Sequence, residues 1–265
     1  MESRATRIGL MVFTVLVLLF LYVPIALIGV YAFNESNVQS WPLTGLTTKW
    51  FSPALHDPAM QSALWLSLKA AAIATAIAIT LGSLAAFGVH RFRFFGREMV
   101  SFILVLPIAL PGIITGMALN SYFTYWGINF ALTTIVIGHA TFCVVVVYNN
   151  VLARLRRVPG SLSEASMDLG ANRLQTFRYV TFPAVSTALV SGALLAFALS
   201  FDEVIVTTFT AGAQTTLPIW ILGNIQRGQQ LPEVNVVVLL VLAATIVPVL
   251  LSQRLTSESG ILRTE

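Results

Sequence analysis

Five strongly apolar stretches of this chain carry no Asp, Glu, Lys or Arg: residues 8–33, 70–89, 99–153, 179–201 and 234–253. A helix needs about 20 apolar residues to cross a hydrocarbon core about 30 Å thick, where every backbone N–H and C=O must be paired within the segment. Each stretch reaches that length. The third, at about 55 residues, is long enough for two crossings joined by a hairpin at "YWGIN", residues 125–129. The expectation is an all-α integral membrane protein with six transmembrane helices. Composition agrees, with 57% of the residues apolar and 10% charged, against about a quarter charged in soluble domains.

The basic residues set an orientation. With the N-terminus inside, the inner segments carry Arg4, Arg7, Arg91, Arg93, Arg97, Arg154, Arg156, Arg157, Arg173, Arg178, Arg254 and Arg263, and the outer ones Lys49 and Arg227. By the positive-inside rule both termini lie in the cytoplasm of a multi-pass protein, and so does the segment 154–183. This bias accounts for the formal net charge of +4 without a nucleic-acid partner. The N-terminus has the outline of a signal peptide, but its apolar run of about 26 residues exceeds the roughly 7 to 15 of a signal core. It reads as an uncleaved first span. The lone Cys143 excludes an intrachain disulfide.

The spans read as about 8–33, 61–90, 98–122, 130–152, 184–207 and 233–253. The second is dense in Ala, Gly and Ser, which lets helices approach closely in lipid. The third contains "LPIALPGIITG", residues 106–116, where Pro107 and Pro111 each remove a helical hydrogen bond. A bent helix lining a cavity and a kinked helix without such a role both remain open. Gly112 and Gly116 form a GxxxG pair suited to a close contact. The loop 34–60, with Trp41, Trp50 and Phe51, suits a membrane interface, and residues 208–232 read as an outer re-entrant or partly helical loop. No repeat or linker divides the chain, so one membrane domain is expected over 1–265, with its core at about 61–254.

The polar segment 154–183 is the exception in this apolar chain. Ser161 followed by Glu164 predicts a capping box and a helix start, Gly170 suits a left-handed helix terminus, and Asn172 with Gln175 repeats the capping pattern for a second helix leading to Pro183. In the first helix Leu162, Ala165, Ser166 and Leu169 share one face, and Glu164 and Asp168 another. Helices this short need external support. Either the unit lies flat on the inner leaflet or it docks into a groove on a soluble partner.

The residues Glu164, Ala165, Ser166, Gly170, Val180, Phe182 and Pro183, in "EASMDLGANRLQTFRYVTFP", resemble the EAA signature of type I permeases of binding-protein-dependent ABC importers. Ser166, Val180 and Phe182 depart conservatively from the usual Ala, Ile and Leu. With "LPIALPGIITG", "GHATFCVVVV" and "SFDEVIVTTFTAG", the chain is similar to the second permease of spermidine/putrescine-type importers. The resemblance implies the ABC transporter type-1 permease fold with a cytoplasmic coupling helix. Glu164, Ala165, Ser166, Asp168 and Gly170 would then serve ATPase coupling, with Glu164 contacting the ATPase and Gly170 setting the bend. It also implies a bacterial cell membrane location, an ABC ATPase dimer, a second permease forming a heterodimer, and a periplasmic or lipid-anchored substrate-binding protein. The expected cargo is a polyamine or similar small amine, moved by alternating access. The chain's lysines, Lys49 and Lys69, lie in no phosphate-binding GxxxxGK[ST] loop, so ATP and Mg are expected on the partner ATPase and no cofactor on this chain.

Carboxylates within a span are functional candidates by default. Asp202 and Glu203 are the only adjacent acidic pair, and Phe201 beside them offers an aromatic face to an amine. They lie roughly 28 Å of helix beyond Pro183, which leaves mid-membrane and outer-interface positions both open. Lys69 reads as a snorkelling side chain. His139 and Cys143 are two potential metal ligands without a third, so helix packing is the expected role. Trp220 reads equally as a lining of the outer mouth or a loop anchor. A permease for another small solute, an ion-gradient-driven secondary transporter and a membrane scaffold are the alternatives. The secondary transporter should show two related halves, which the sequence lacks.

Overall fold

The computed structural model describes residues 4–245. Arg254, Arg263 and the end of the sixth expected span lie outside the described residues. In chain order the helices are α1 (Arg4–Ala32), α2 (Phe51–His56), α3 (Pro58–Arg91), α4 (Arg97–Ala109), α5 (Gly112–Tyr125), α6 (Leu132–Leu155), α7 (Gly160–Asp168) and α8 (Arg173–Thr176). A π-helical turn (Phe177–Thr181) follows, then α9 (Phe182–Phe201), α10 (Ile205–Thr210), α11 (Leu217–Arg227) and α12 (Leu231–Thr245). The chain divides into two compact units, residues 62–220 and the flanking segments before and after them.

In the flanking unit, α1 is long and apolar enough to cross a membrane, and its most apolar stretch has no buried residue. The loop after it is folded rather than extended. Trp50 Nε1 donates to the Asn34 carbonyl at 2.9 Å, Thr47 N–H to the Phe33 carbonyl at 2.8 Å, and the Phe33 and Phe51 rings lie 5.2 Å apart. Asp57 then starts α3: its Oδ1 accepts from Ala59 N–H at 2.8 Å while Pro58 takes the first helical position, where its missing N–H costs nothing. The second span therefore begins at Pro58 rather than at 61.

The unit 62–220 is built around α6. Ile135, His139, Cys143, Val147, Tyr148, Val151 and Leu155 are buried along it, and α4, α5, α9 and α10 pack against it. On α3 the buried residues Ala63, Ser67, Ala70, Ala74, Ala78, Gly82 and Ala86 recur at helical spacing. In lipid there is no hydrophobic force between helices, so close van der Waals approach must hold them. At Gly82 that approach is tight: a Cβ there would stand 2.8 Å from the Val144 carbonyl oxygen and 3.0 Å from Tyr148 N. Trp65, Lys69, Leu81 and Leu84 on α3 are exposed.

The third span is broken rather than bent. α4 and α5 meet at 101°, with Leu110 at ψ 141° and Pro111 at ψ 131° in extended backbone. A residue before proline is pushed out of the helical region, and Pro111 itself cannot return a hydrogen bond to Pro107. What holds α5 after the break is α10. A Cβ on Gly116 would meet the Phe209 ring at 2.6 Å, and Asn120 Nδ2 donates to the Phe209 carbonyl at 2.7 Å. The GxxxG pair thus makes its contact with a short helix, not with another span. The hairpin expected near 125–129 is present, with Gly127 at φ +62°.

The fifth span differs at both ends. It is continuous from Arg173 to Phe201, so no break separates the second helix of the polar segment from the membrane helix. It also stops before Asp202 instead of continuing to 207. Pro183 explains the π turn just ahead of it. Its ring excludes the usual bond to the i−4 carbonyl, and the helix widens so that Phe182 N–H reaches the Phe177 carbonyl.

Candidate functional site

Two regions carry the candidate residues. In the polar segment, Pro159 occupies the N-cap of α7 and makes no side-chain cap bond. Ser161 therefore lies inside the helix, which overturns the expected Ser161/Glu164 capping box: Pro159 sets extended backbone and Gly160 is already helical. The second box is present, with Gln175 N–H donating to Asn172 Oδ1 at 2.9 Å and Asn172 N–H to Gln175 Oε1 at 2.8 Å. Between them Gly170 has φ +88°. Ala171 N–H donates to the Ser166 carbonyl at 3.1 Å and Gly170 N–H to Met167 at 2.9 Å, the bond pair that closes a helix on a left-handed residue.

Glu164, Ala165 and Asp168 are exposed, while Ser166 is half-buried and shares a 3.2 Å hydrogen bond with Thr176 on α8. That bond folds α7 back onto the start of the long helix. The apolar residues of α7 do not face inward as a covered stripe: Leu169 is 90% exposed, and Leu162, Met167 and, on α8, Leu174 are exposed with it. Exposed apolar side chains and two exposed carboxylates thus lie on the same short unit. Nearby, Arg154 Nε donates to the Ala184 carbonyl at 2.8 Å and ties the end of α6 to the long helix.

The second region is the α9–α10 break. Phe201 stacks on Phe197 with ring centroids 6.2 Å apart, and Asp202 is an exposed C-cap whose N–H donates to the Ala198 carbonyl. Glu203 is half-buried and turns inward. Its Oε1 accepts from Val206 N–H in the first turn of α10 at 2.8 Å, and Glu203 lines a cavity of about 190 Å³ with Pro107, Leu110, Phe142, Thr115 and Leu199. The broken third span therefore does line a cavity. Of the three candidates at this break, Glu203 reaches it; Phe201 and Asp202 are not among its lining residues.

His139 fixes this break from behind. It is 1% exposed, with Nδ1 2.7 Å from Ser200 Oγ on α9 and Nε2 2.8 Å from Thr207 Oγ1 on α10. Thr207 spends its one hydroxyl proton on the Glu203 carbonyl at 2.6 Å. Its oxygen must then accept from His139 Nε2–H, which leaves Nδ1 to accept from Ser200. Cys143 Sγ instead donates to the Ala196 carbonyl at 3.3 Å. Histidine and cysteine thus each bond to a neighbouring helix, and among the described residues no group of three or more His, Cys, Asp or Glu side chains is arranged to hold a metal ion. The role of His139 was not legible from sequence, because its partners lie 61 and 68 residues away.

Comparison with known proteins fits these features. The chain is 38% identical over 234 residues to the putrescine transport system permease protein PotI of Escherichia coli strain K12, covering 85% of this chain and 82% of that protein. It is 33% identical over 236 residues to the spermidine/putrescine transport system permease protein PotC of the same strain, covering 88% of each. Its fold matches the crystal structure of a bacterial ABC transporter involved in the import of the acidic polysaccharide alginate, with TM-score 0.66, 17% identity and coverage of 97% and 98% of the two chains. Residues 78–257 match the family described as binding-protein-dependent transport system inner membrane component, and the chain belongs to that family.

Proposed function

We propose that this chain is a permease subunit of an ATP-driven ABC importer that carries polyamines or similar small amines by alternating access. The observation that carries the coupling half of this reading is the unbroken helix from Arg173 to Phe201. It joins the glycine-bent unit at one end to the Glu203 cavity at the other, over about 43 Å at 1.5 Å per residue. In this reading Glu164, Ala165, Ser166, Asp168 and Gly170 form the surface that enters an ATPase subunit, where ATP and Mg are bound. Carboxylates among the exposed apolar residues disfavour the alternative, a helix resting on an anionic leaflet. Both termini and this surface lie in the cytoplasm of a bacterial cell, following the arginine bias. An ATPase dimer, a second and different permease, and a periplasmic or lipid-anchored binding protein complete the complex.

The amine cargo is supported by the names of the relatives and by the Glu203 carboxylate at the α9–α10 break, with the aromatic Phe201 two residues before it. The test is ATP hydrolysis by the assembled complex in lipid with its binding protein. Putrescine or spermidine is expected to stimulate hydrolysis several-fold in wild type. A complex that hydrolyses ATP and responds to neither amine would remove the cargo assignment. Hydrolysis and transport that persist after the ATPase subunit is left out would remove the importer reading itself.

A further inference from the structure

The cavity behind Glu203 contains a second polar group with nothing to bond. Threonines inside helices here commonly return their hydroxyl to a carbonyl one turn back, as Thr14, Thr80, Thr208 and Thr210 do. Thr115, in the first turn of α5, does not: its Oγ1 is buried and has no hydrogen-bond partner. Thr115 lines the same cavity as Glu203. So does Pro107, whose carbonyl has lost its helical donor because Pro111 has no N–H. Glu203 commits one oxygen, Oε1, to Val206 N–H, and Oε2 has no partner among the described residues. Three unspent acceptors thus come from residues that surround one space of about 190 Å³, and the remaining walls, including Ile108, Leu110, Phe142, Leu199 and Val206, are apolar.

We propose that this cavity is the seat of one primary ammonium group, bound by the Glu203 carboxylate, the Thr115 hydroxyl and the Pro107 carbonyl. A primary ammonium carries three N–H donors and no acceptor, which matches three acceptors once the Thr115 hydroxyl turns its own proton away from the ammonium. The attached methylene chain lies against Phe142 and Leu199, and the volume suits one aminoalkyl end. The site rests on the amine-importer reading given above and assigns recognition to Glu203, leaving Asp202 outside. Its cation is read by N–H donors as well as by charge. A quaternary ammonium of the same charge has no N–H to offer Thr115 or Pro107 and is excluded.

The test uses the assembled permease–ATPase complex without its binding protein, so that the affinity read is that of the membrane site. Ligand-dependent thermal stabilisation is titrated with putrescine and with 1,4-bis(trimethylammonio)butane. Putrescine is expected to stabilise wild type and the quaternary compound is not. Glu203→Gln, which keeps an oxygen for Val206 N–H, should raise the half-saturating putrescine concentration about tenfold or more, Thr115→Val about fivefold, and Asp202→Asn should leave it unchanged. Equal titration of wild type, Glu203→Gln and Thr115→Val, or equal stabilisation by the quaternary compound, overturns the site. Putrescine uptake into proteoliposomes carrying the full system separates the two proposals. Uptake with unchanged site variants removes the ammonium seat alone, and no uptake by wild type removes both.

Discussion

His139 on α6 and Thr207 on α10 are joined Nε2 to Oγ1 across 2.8 Å, and through Thr207 the imidazole governs the carbonyl of Glu203. One buried side chain therefore holds both sides of the α9–α10 break, since its other nitrogen meets Ser200. His139→Ala removes two buried hydrogen bonds and leaves a void, and is expected to cost about 2–5 kcal/mol. Thermal unfolding of the purified complex reads this directly. A variant that melts with wild type would mean the break is held by packing alone.

Glu164 is exposed on α7, and its side chain makes no hydrogen bond or ion pair within the described residues. Glu164→Lys should leave folding within about 0.5 kcal/mol of wild type. Insertion into the membrane is expected to be normal, while recovery of the ATPase in affinity purification falls at least tenfold. Recovery of a fully assembled complex would remove Glu164 from the coupling surface.

At Gly170 the demand is on the backbone alone: φ is +88° and an added Cβ meets nothing within 4 Å. An L-residue in the left-handed region costs roughly 1–2 kcal/mol, and Asn tolerates it best. Gly170→Val should therefore impair transport-coupled ATP hydrolysis while Gly170→Asn largely retains it. Equal activity of the two variants would show that the bend angle is not what the coupling unit requires.

Gly82 and Gly88, both on α3, make opposite forecasts. A Cβ at Gly82 would press on the backbone of α6, at 2.8 Å from the Val144 oxygen, whereas at Gly88 nothing lies within 4 Å. Gly82→Ala should destabilise by about 1–3 kcal/mol through helix separation. Gly88→Ala should be neutral or stabilising by up to about 1 kcal/mol through helix propensity. Unfolding in a graded SDS titration compares them, and a neutral Gly82→Ala would show that α3 and α6 can part without cost.

These positions show which parts of the molecule sequence could disclose. The small-residue face of α3, the hairpin at Gly127, the Asn172/Gln175 box and the turn at Gly170 depend on neighbours within a few residues, and each was legible. The Ser161/Glu164 box failed because a pattern of four residues ignored Pro159, which takes the N-cap two residues earlier. The two prolines announced a disturbance in the third span, but the size of the break depends on α10 receiving Gly116 and Asn120 about 90 residues later, with Asn120 bonded to Phe209 across 89 positions. The fifth span was extended to 207 because Val204, Ile205 and Val206 look like more membrane helix. The Glu203 carboxylate, by accepting from Val206 N–H in the first turn of α10, makes a new start cheaper than continuation. Thr115 carried no local signal at all, since being unpartnered is a property of the assembled cavity.

The π turn at Phe177–Thr181 also fixes a rotational phase. An α-helix turns about 100° for each residue, so a turn that takes in one extra residue dials everything beyond it round by roughly that amount. The bearing of Glu164 on one end of the long helix and the bearing of Glu203 on the other are set against each other by this one widened turn. Replacing Pro183 so that this turn closed to an ordinary α turn would keep every other side chain named above and leave the two ends pointing along mismatched compass directions.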